Sequence, residues 1–207
     1  MSDYYNSTEE QQFNEAKNWF KQNGTPILLV IAIISGATFG WNYWQKHQAE
    51  KAQQTSAQYQ QVMESYLQNP EKNAPLVEKF TQENQGTYSV FAQLEQAKQL
   101  ADKGEFAQVK AKLEDALKAT DDATLQNIIR FRLASVAFQL NELDNALEVL
   151  SKIQDKAWDL RKQVLVGDIL VAKGDKVAAK SAYEQAKEKA SAQEQMLIDI
   201  RLNNLSN

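Results

Sequence analysis

The chain has 207 residues, 43% of them hydrophobic and 24% charged, and its 23 basic and 27 acidic side chains are interspersed to give a net charge of -4. It contains no cysteine, which excludes disulfides and thiolate metal sites, and without clustered Lys and Arg there is no nucleic-acid footprint. Lack of cysteine suits the bacterial periplasm as well as the cytosol, so it fixes no compartment.

Residues 1–6 carry few apolar groups and are expected to be disordered. Ser7 followed by Glu10 is a capping-box pattern, after which Phe13, Ala16, Trp19 and Phe20 recur at helical spacing. Two readings are open here: a short amphipathic helix in the membrane interface, or a frayed tail in which Trp19 and Phe20 anchor the bilayer edge.

Residues 25–44 read TPILLVIAIISGATFGWNYW, and no charged side chain occurs between Gln22 and Gln45. About 20 apolar residues rising ~1.5 Å each match the ~30 Å hydrocarbon core of a bilayer. A cleaved signal peptide would need a short basic leader and a small-x-small site. Here the 24 residues ahead of the apolar stretch hold four acidic and two basic side chains, and the stretch ends in bulky Trp41, Tyr43 and Trp44. The pattern predicts an uncleaved transmembrane helix with aromatic belts at Trp19 and Phe20 and at Trp41, Tyr43 and Trp44. Lys17 and Lys21 on one side balance Lys46 and Lys51 on the other, so flanking charge leaves the orientation open. Ala32, Gly36 and Gly40 recur every fourth residue beside Ser35, a ridge of small side chains that would let another membrane helix approach closely.

Residues 45–68, rich in Gln, Ala, Lys and Glu, carry a sparse stripe of Ala52, Tyr59, Val62, Met63, Tyr66 and Leu67. They predict a helical stalk leading from the span and stopping near Asn69-Pro70. A short helix should follow, with Leu76, Val77 and Phe80 on one face. The chain thus divides into a tail (1–24), a span (25–44), a stalk (45–68) and a helical domain (69–207). From Thr87 onward it repeats: aligning Gly104, Asn141 and Gly174 gives intervals of 37 and 33 residues, close to the 34-residue tetratricopeptide period. Each unit reads as helix, tight turn and helix. Expected packing positions are Ala97, Val109, Leu113 and Ala116 in the first unit, Ala134, Ala146, Leu150 and Ile153 in the second, and Gly167, Ala179, Tyr183 and Ala186 in the third. The Trp and Pro of the repeat pattern are missing, so the match is degenerate. Residues 191–205, with Met196, Leu197, Ile200 and Leu205, predict a helix that covers the open end of the stack. The fold class is therefore all-α, a single N-terminal transmembrane helix followed by a tetratricopeptide-like helical-repeat domain.

Residues 125–140 are apolar nearly all round, which means a helix buried on every side or one with a face reserved for a ligand. In the first reading it is the central helix, covered by the polypeptide before Tyr88. In the second, Ile128, Phe131, Ser135 and Phe138 line an apolar groove for an extended or partly unfolded peptide. Nothing points to catalysis or to a cofactor. The single histidine, His47, lies at the membrane edge, and there is no metal-ligand cluster, phosphate loop or nucleophile elbow. The paired carboxylates Asp121-Asp122 and Glu142 with Asp144 fall in turns and at helix starts, where solvation and helix dipoles account for them.

Several stretches together resemble the YfgM family of inner-membrane proteins. They are the acidic tail, Asn23-Gly24, the span exit Gly40-Trp41-Asn42-Tyr43-Trp44, His47-Gln48, Lys79-Phe80, Glu83-Asn84, Thr87-Tyr88, Lys173-Gly174-Asp175-Lys176 and the ending Arg201-Leu202-Asn203-Asn204-Leu205-Ser206. The resemblance implies an ancillary subunit of the SecYEG translocon with a cytoplasmic N-terminus, one span in the inner membrane and a periplasmic domain. It further implies association with a membrane-anchored periplasmic chaperone of the peptidyl-prolyl isomerase type and the passing of secreted client polypeptides to periplasmic chaperones. Family resemblance brings no catalytic residues. The alternative is a regulatory adaptor in envelope stress signalling that acts through its cytoplasmic tail.

Overall fold

The computed structural model describes residues 9–205, in which every regular element is a helix. The expected disorder of residues 1–6 and the capping role of Ser7 lie outside the described residues. The chain separates into two compact units, residues 1–54 and 55–207.

In the first unit, α1 (Glu9–Gln68) runs without a break through Pro26 and the whole apolar stretch. Phe13, Trp19 and Phe20 are on α1 itself, so the amphipathic segment is not a separate helix. Large apolar side chains such as Leu28, Ile33 and Phe39 stand exposed around the helix. This suits a hydrocarbon surrounding, because the helix satisfies its own backbone hydrogen bonds. The polar groups in and beside the stretch do the same: Thr38 Oγ1 donates to the Ile34 carbonyl at 2.8 Å and Asn23 Nδ2 to the Trp19 carbonyl at 2.9 Å. Among the described residues this is the one helix long and apolar enough to cross a membrane.

The second unit begins with the last turns of α1 and α2 (Pro70–Glu83). Asn69 caps α2 by accepting from the Lys72 amide at 3.1 Å, and Pro70 occupies the first helical position, where no N–H is needed. Met63, Tyr66, Val77, Phe80 and Ala92 form a core there. Of the face expected on α2, Val77 and Phe80 are buried, but Leu76 is 45% exposed. A helix turns about 100° per residue, so a side chain one position from a buried one points well away from it.

Three helix pairs follow: α3 (Thr87–Asp102) with α4 (Phe106–Lys118), α5 (Ala123–Gln139) with α6 (Leu143–Ser151), and α7 (Asp159–Ala172) with α8 (Lys176–Lys187). The aligned turn residues Gly104, Asn141 and Gly174 have φ of 76°, 61° and 81°. In each turn the next residue's amide reaches back across the turn, Glu105 to Leu100, Glu142 to Ala137 and Asp175 to Leu170, at 2.8 to 3.0 Å. This is the Schellman closure, and its left-handed residue explains Gly twice and Asn once. All twelve packing positions expected from the repeat are buried. Gly167 lets α7 and α8 approach closely: a Cβ added to it would overlap the Tyr183 ring.

The central helix α5 packs mainly against α4, α6 and α7, and not, as one reading expected, against the polypeptide before Tyr88. The final helix α9 (Ala192–Leu205) does cover the last pair, but through Ile198, Leu202 and Leu205. Met196, Leu197 and Ile200, expected on the covering face, are 68%, 57% and 53% exposed. The helix carries two apolar stripes, and 198, 202 and 205 share the i, i+4, i+7 spacing of a single face.

Ion pairs join neighbouring helix pairs, and the helices that flank them, at about the repeat interval. Lys103 meets Glu71 at 2.9 Å and Lys112 meets Glu78 at 3.3 Å, while Lys110 pairs with Glu142, Lys173 with Asp144, and Arg201 with Asp168 at 3.0 Å. Lys103 and Lys173 immediately precede the left-handed turn residues, and Leu140 holds that place in the middle pair, packed against the first pair's core. The joint between the first and second pairs is bridged in the opposite sense, with Lys110 ahead of Glu142.

Candidate protein-interaction surface

Phe131 is half-buried at the midpoint of α5, and an open cleft lies on each side of it. One cleft, about 460 Å³, is lined by α3, α4 and α5, with Ala97, Ala101, Val109 and Leu113 as its floor and Lys98 and Arg132 at its edge. Ser135 borders it and donates from Oγ to the Phe131 carbonyl at 2.9 Å, which satisfies the hydroxyl locally. The other cleft, about 310 Å³, is lined by α5, α7 and α9, with Val164, Leu165, Leu197, Arg161 and Arg201 among its walls. The Phe131 ring sits 5.4 Å from that of Trp158, and the Arg161 guanidinium lies 5.8 Å from the Trp158 centroid.

The acidic groups of the second cleft are already engaged. Asp168 accepts from the Tyr183 hydroxyl at 2.7 Å and from Arg201 Nε at 3.0 Å, which joins α7, α8 and α9. Burial, and after it the hydrogen bond to Asp168, pushes the Tyr183 phenol far above its ordinary value, so it remains a donor. Glu194 accepts from both the amide and the hydroxyl of Ser191, at 2.9 and 2.6 Å, and these bonds hold its carboxyl below the usual range.

Of the groove expected on this helix, Phe131 and Ser135 come together at the first cleft. Phe138 instead packs against the core of the second pair, and Ile128 is half-buried but lines neither cleft. On α1, Ala32, Gly36 and Gly40 are exposed, and a Cβ added to either glycine meets nothing within 4 Å. The paired carboxylates act in caps and ion pairs: Asp122 accepts from the Leu125 amide at 2.8 Å, Glu142 pairs with Lys110 and Asp144 with Lys173. His47 is exposed beside Tyr43, their rings near parallel. Among the described residues no group of three His, Asp or Glu is placed to hold a metal ion.

Sequence reasoning passed over the charged half of this surface. The chain has four arginines against 19 lysines, and the four are Arg130, Arg132, Arg161 and Arg201. They fall on α5, α7 and α9, and three of them line the two clefts that share Phe131. A count of Arg apart from Lys would have drawn attention to these helices.

Comparison with known proteins agrees with this architecture. The tetratricopeptide repeat-like domain family matches residues 17–207. A Haemophilus influenzae protein described as an ancillary SecYEG translocon subunit is 44% identical over 202 residues, 97% of this chain and 99% of its own length. An Escherichia coli protein of the same description is 35% identical over 199 residues, covering 96% and 97%. Among solved structures, the MamA RS-1 ArsTM double mutant superposes with a TM-score of 0.54 at 13% identity, over 73% of this chain and 87% of that one, a likeness of fold alone. With a matched repeat domain and near-full-length relatives at 44% and 35% identity, the chain belongs to the family of ancillary SecYEG translocon subunits.

Proposed function

We propose that this chain is a non-enzymatic, membrane-anchored interaction subunit of the SecYEG translocon that helps pass translocated polypeptides to periplasmic chaperones. The observation that carries the reading is the near-full-length likeness to ancillary SecYEG translocon subunits, which extends across both the span and the repeat domain. In this reading α1 crosses the inner membrane once, with the N-terminus cytoplasmic and the repeat domain periplasmic. The ridge of Ala32, Gly36 and Gly40 meets a translocon helix, since open space around both glycines allows close backbone approach. The surface around Phe131, with Ile128, Ser135 and Phe138 on the same helix, receives a membrane-anchored peptidyl-prolyl isomerase-type chaperone or a secreted chain. No cofactor is required.

In vivo photocrosslinking from Gly36 and from Phe131, with adducts identified by mass spectrometry, tests both contacts at once. Translocon helices captured from Gly36, with chaperone or secreted chains captured from Phe131, are the expected products. Self-adducts alone would sink the bridge and favour a regulatory adaptor working through residues 1–24.

A further inference from the structure

We propose that the face spanning the two Phe131 clefts recognises an extended peptide segment in which aromatic or long aliphatic side chains alternate with carboxylates. The inference rests on the reading of this surface as a peptide site and names the chemistry of its ligand. It starts from the separation of the two kinds of cation. Lysines form the bridges between repeats, whereas among the described residues neither Arg132 nor Arg161 is held in an ion pair: Arg132 stands exposed at its cleft, and Arg161, whose charge reaches Glu194, lies against Trp158.

The choice of arginine is informative because both residues supply the same charge. A guanidinium presents a planar fork that takes a carboxylate through two parallel bonds, stacks on aromatic rings and is more weakly hydrated than an ammonium. The cation–π contact with Trp158 also restrains Arg161 beside the cleft, so less side-chain freedom is lost when a carboxylate docks. Between the cations lie apolar surfaces, Ala97 and Leu113 on one side of Phe131, Val164 and Leu165 on the other. The carboxylates already present, Asp168 and Glu194, are occupied by Tyr183, Arg201 and Ser191. A carboxylate-bearing ligand therefore finds the forks of Arg132 and Arg161 without a hydrogen-bonded carboxylate, Glu194 acting on Arg161 only through its charge. In a chain whose net charge is -4, this attraction is local to the face and not a property of the whole surface.

The test uses the full chain in neutral detergent micelles and two fluorescein-labelled decapeptides, one alternating Phe and Glu, the other with Gln at each Glu position. Fluorescence anisotropy at low ionic strength should show the Glu peptide bound on the order of tenfold more tightly, the equivalent of one good charged contact. Arg132→Lys with Arg161→Lys keeps the charge and removes the forks, and should erase most of that preference while leaving the Gln peptide unchanged. Circular dichroism melts of each variant separate lost binding from lost folding. Equal binding of both peptides overturns carboxylate recognition and leaves the peptide site standing. Binding of neither overturns both, and a dimer that the double Lys variant dissociates would assign the face to a second copy of the chain.

Discussion

Where the two helices of a pair cross, the third pair sets Gly167 beneath the ring of Tyr183, while the first two pairs set Ala97 with Leu113 and Ala134 with Leu150 at the aligned positions. All six residues are buried. The volume gained by the aromatic ring is matched by the methyl group missing from the glycine, so what the repeat conserves from pair to pair is the filled space and not the residue. The third pair also gains a directional contact, since Tyr183 bonds to Asp168, which in turn holds Arg201 of α9. The end of the stack is thus fixed by shape and by hydrogen bonds, and the first two crossings by shape alone.

Removing the ring breaks this contrast most severely. Tyr183→Ala is expected to cost about 3 to 5 kcal/mol, the range for truncating a large buried aromatic, read as a lower midpoint in thermal melts by circular dichroism. Gly167→Ala, a single methyl pressed into the ring, should cost about 1 to 3 kcal/mol in the same assay. Combining Gly167→Ala with Tyr183→Leu installs the pattern of the other two pairs. It should lose less than the sum of the two single changes by about 1 kcal/mol or more, and simple additivity would disprove volume matching. At the turn, Gly174→Ala should cost about 1 kcal/mol, and Gly174→Asn, which copies the middle pair's Asn141, should cost less.

The smallest effect is electrostatic. Hydrogen bonds from Lys110 to Glu142 and from Lys189 to Asp159 hold both carboxyls below their ordinary values of 4.5 and 3.8. A carboxyl lowered in the folded state adds stability above its unfolded value and forfeits it as pH falls through the folded one. Melting midpoints should therefore decline as pH drops below about 4.5, and Lys110→Met with Lys189→Met should flatten that decline. An unchanged acid slope in the double variant would remove these pairs from the account.

The turns were legible because a left-handed residue restricts the choice to Gly and Asn, and the crossings because burial restricts size. Met196 and Ile200 were misplaced for the opposite reason: α9 has apolar side chains on two faces, and only the shape of the last pair decides which is covered. Phe131 stood out through the apolarity of its helix, but its flanking cations come from α5, α7 and α9, residues 132, 161 and 201. No periodicity along the chain connects those positions; packing alone does.

The bridges between repeats also bear on how such a chain can change length over evolution. The middle pair supplies two acids, Glu142 facing back to Lys110 and Asp144 facing forward to Lys173. A second copy of that pair inserted beside the first would present Leu140 where Asp144 of its neighbour needs a lysine. It would also bring no counterpart of Lys110 for its own Glu142. The stack is therefore not a string of interchangeable modules: its order is written in its charges, and growth by tandem duplication would require new cations at the new joint.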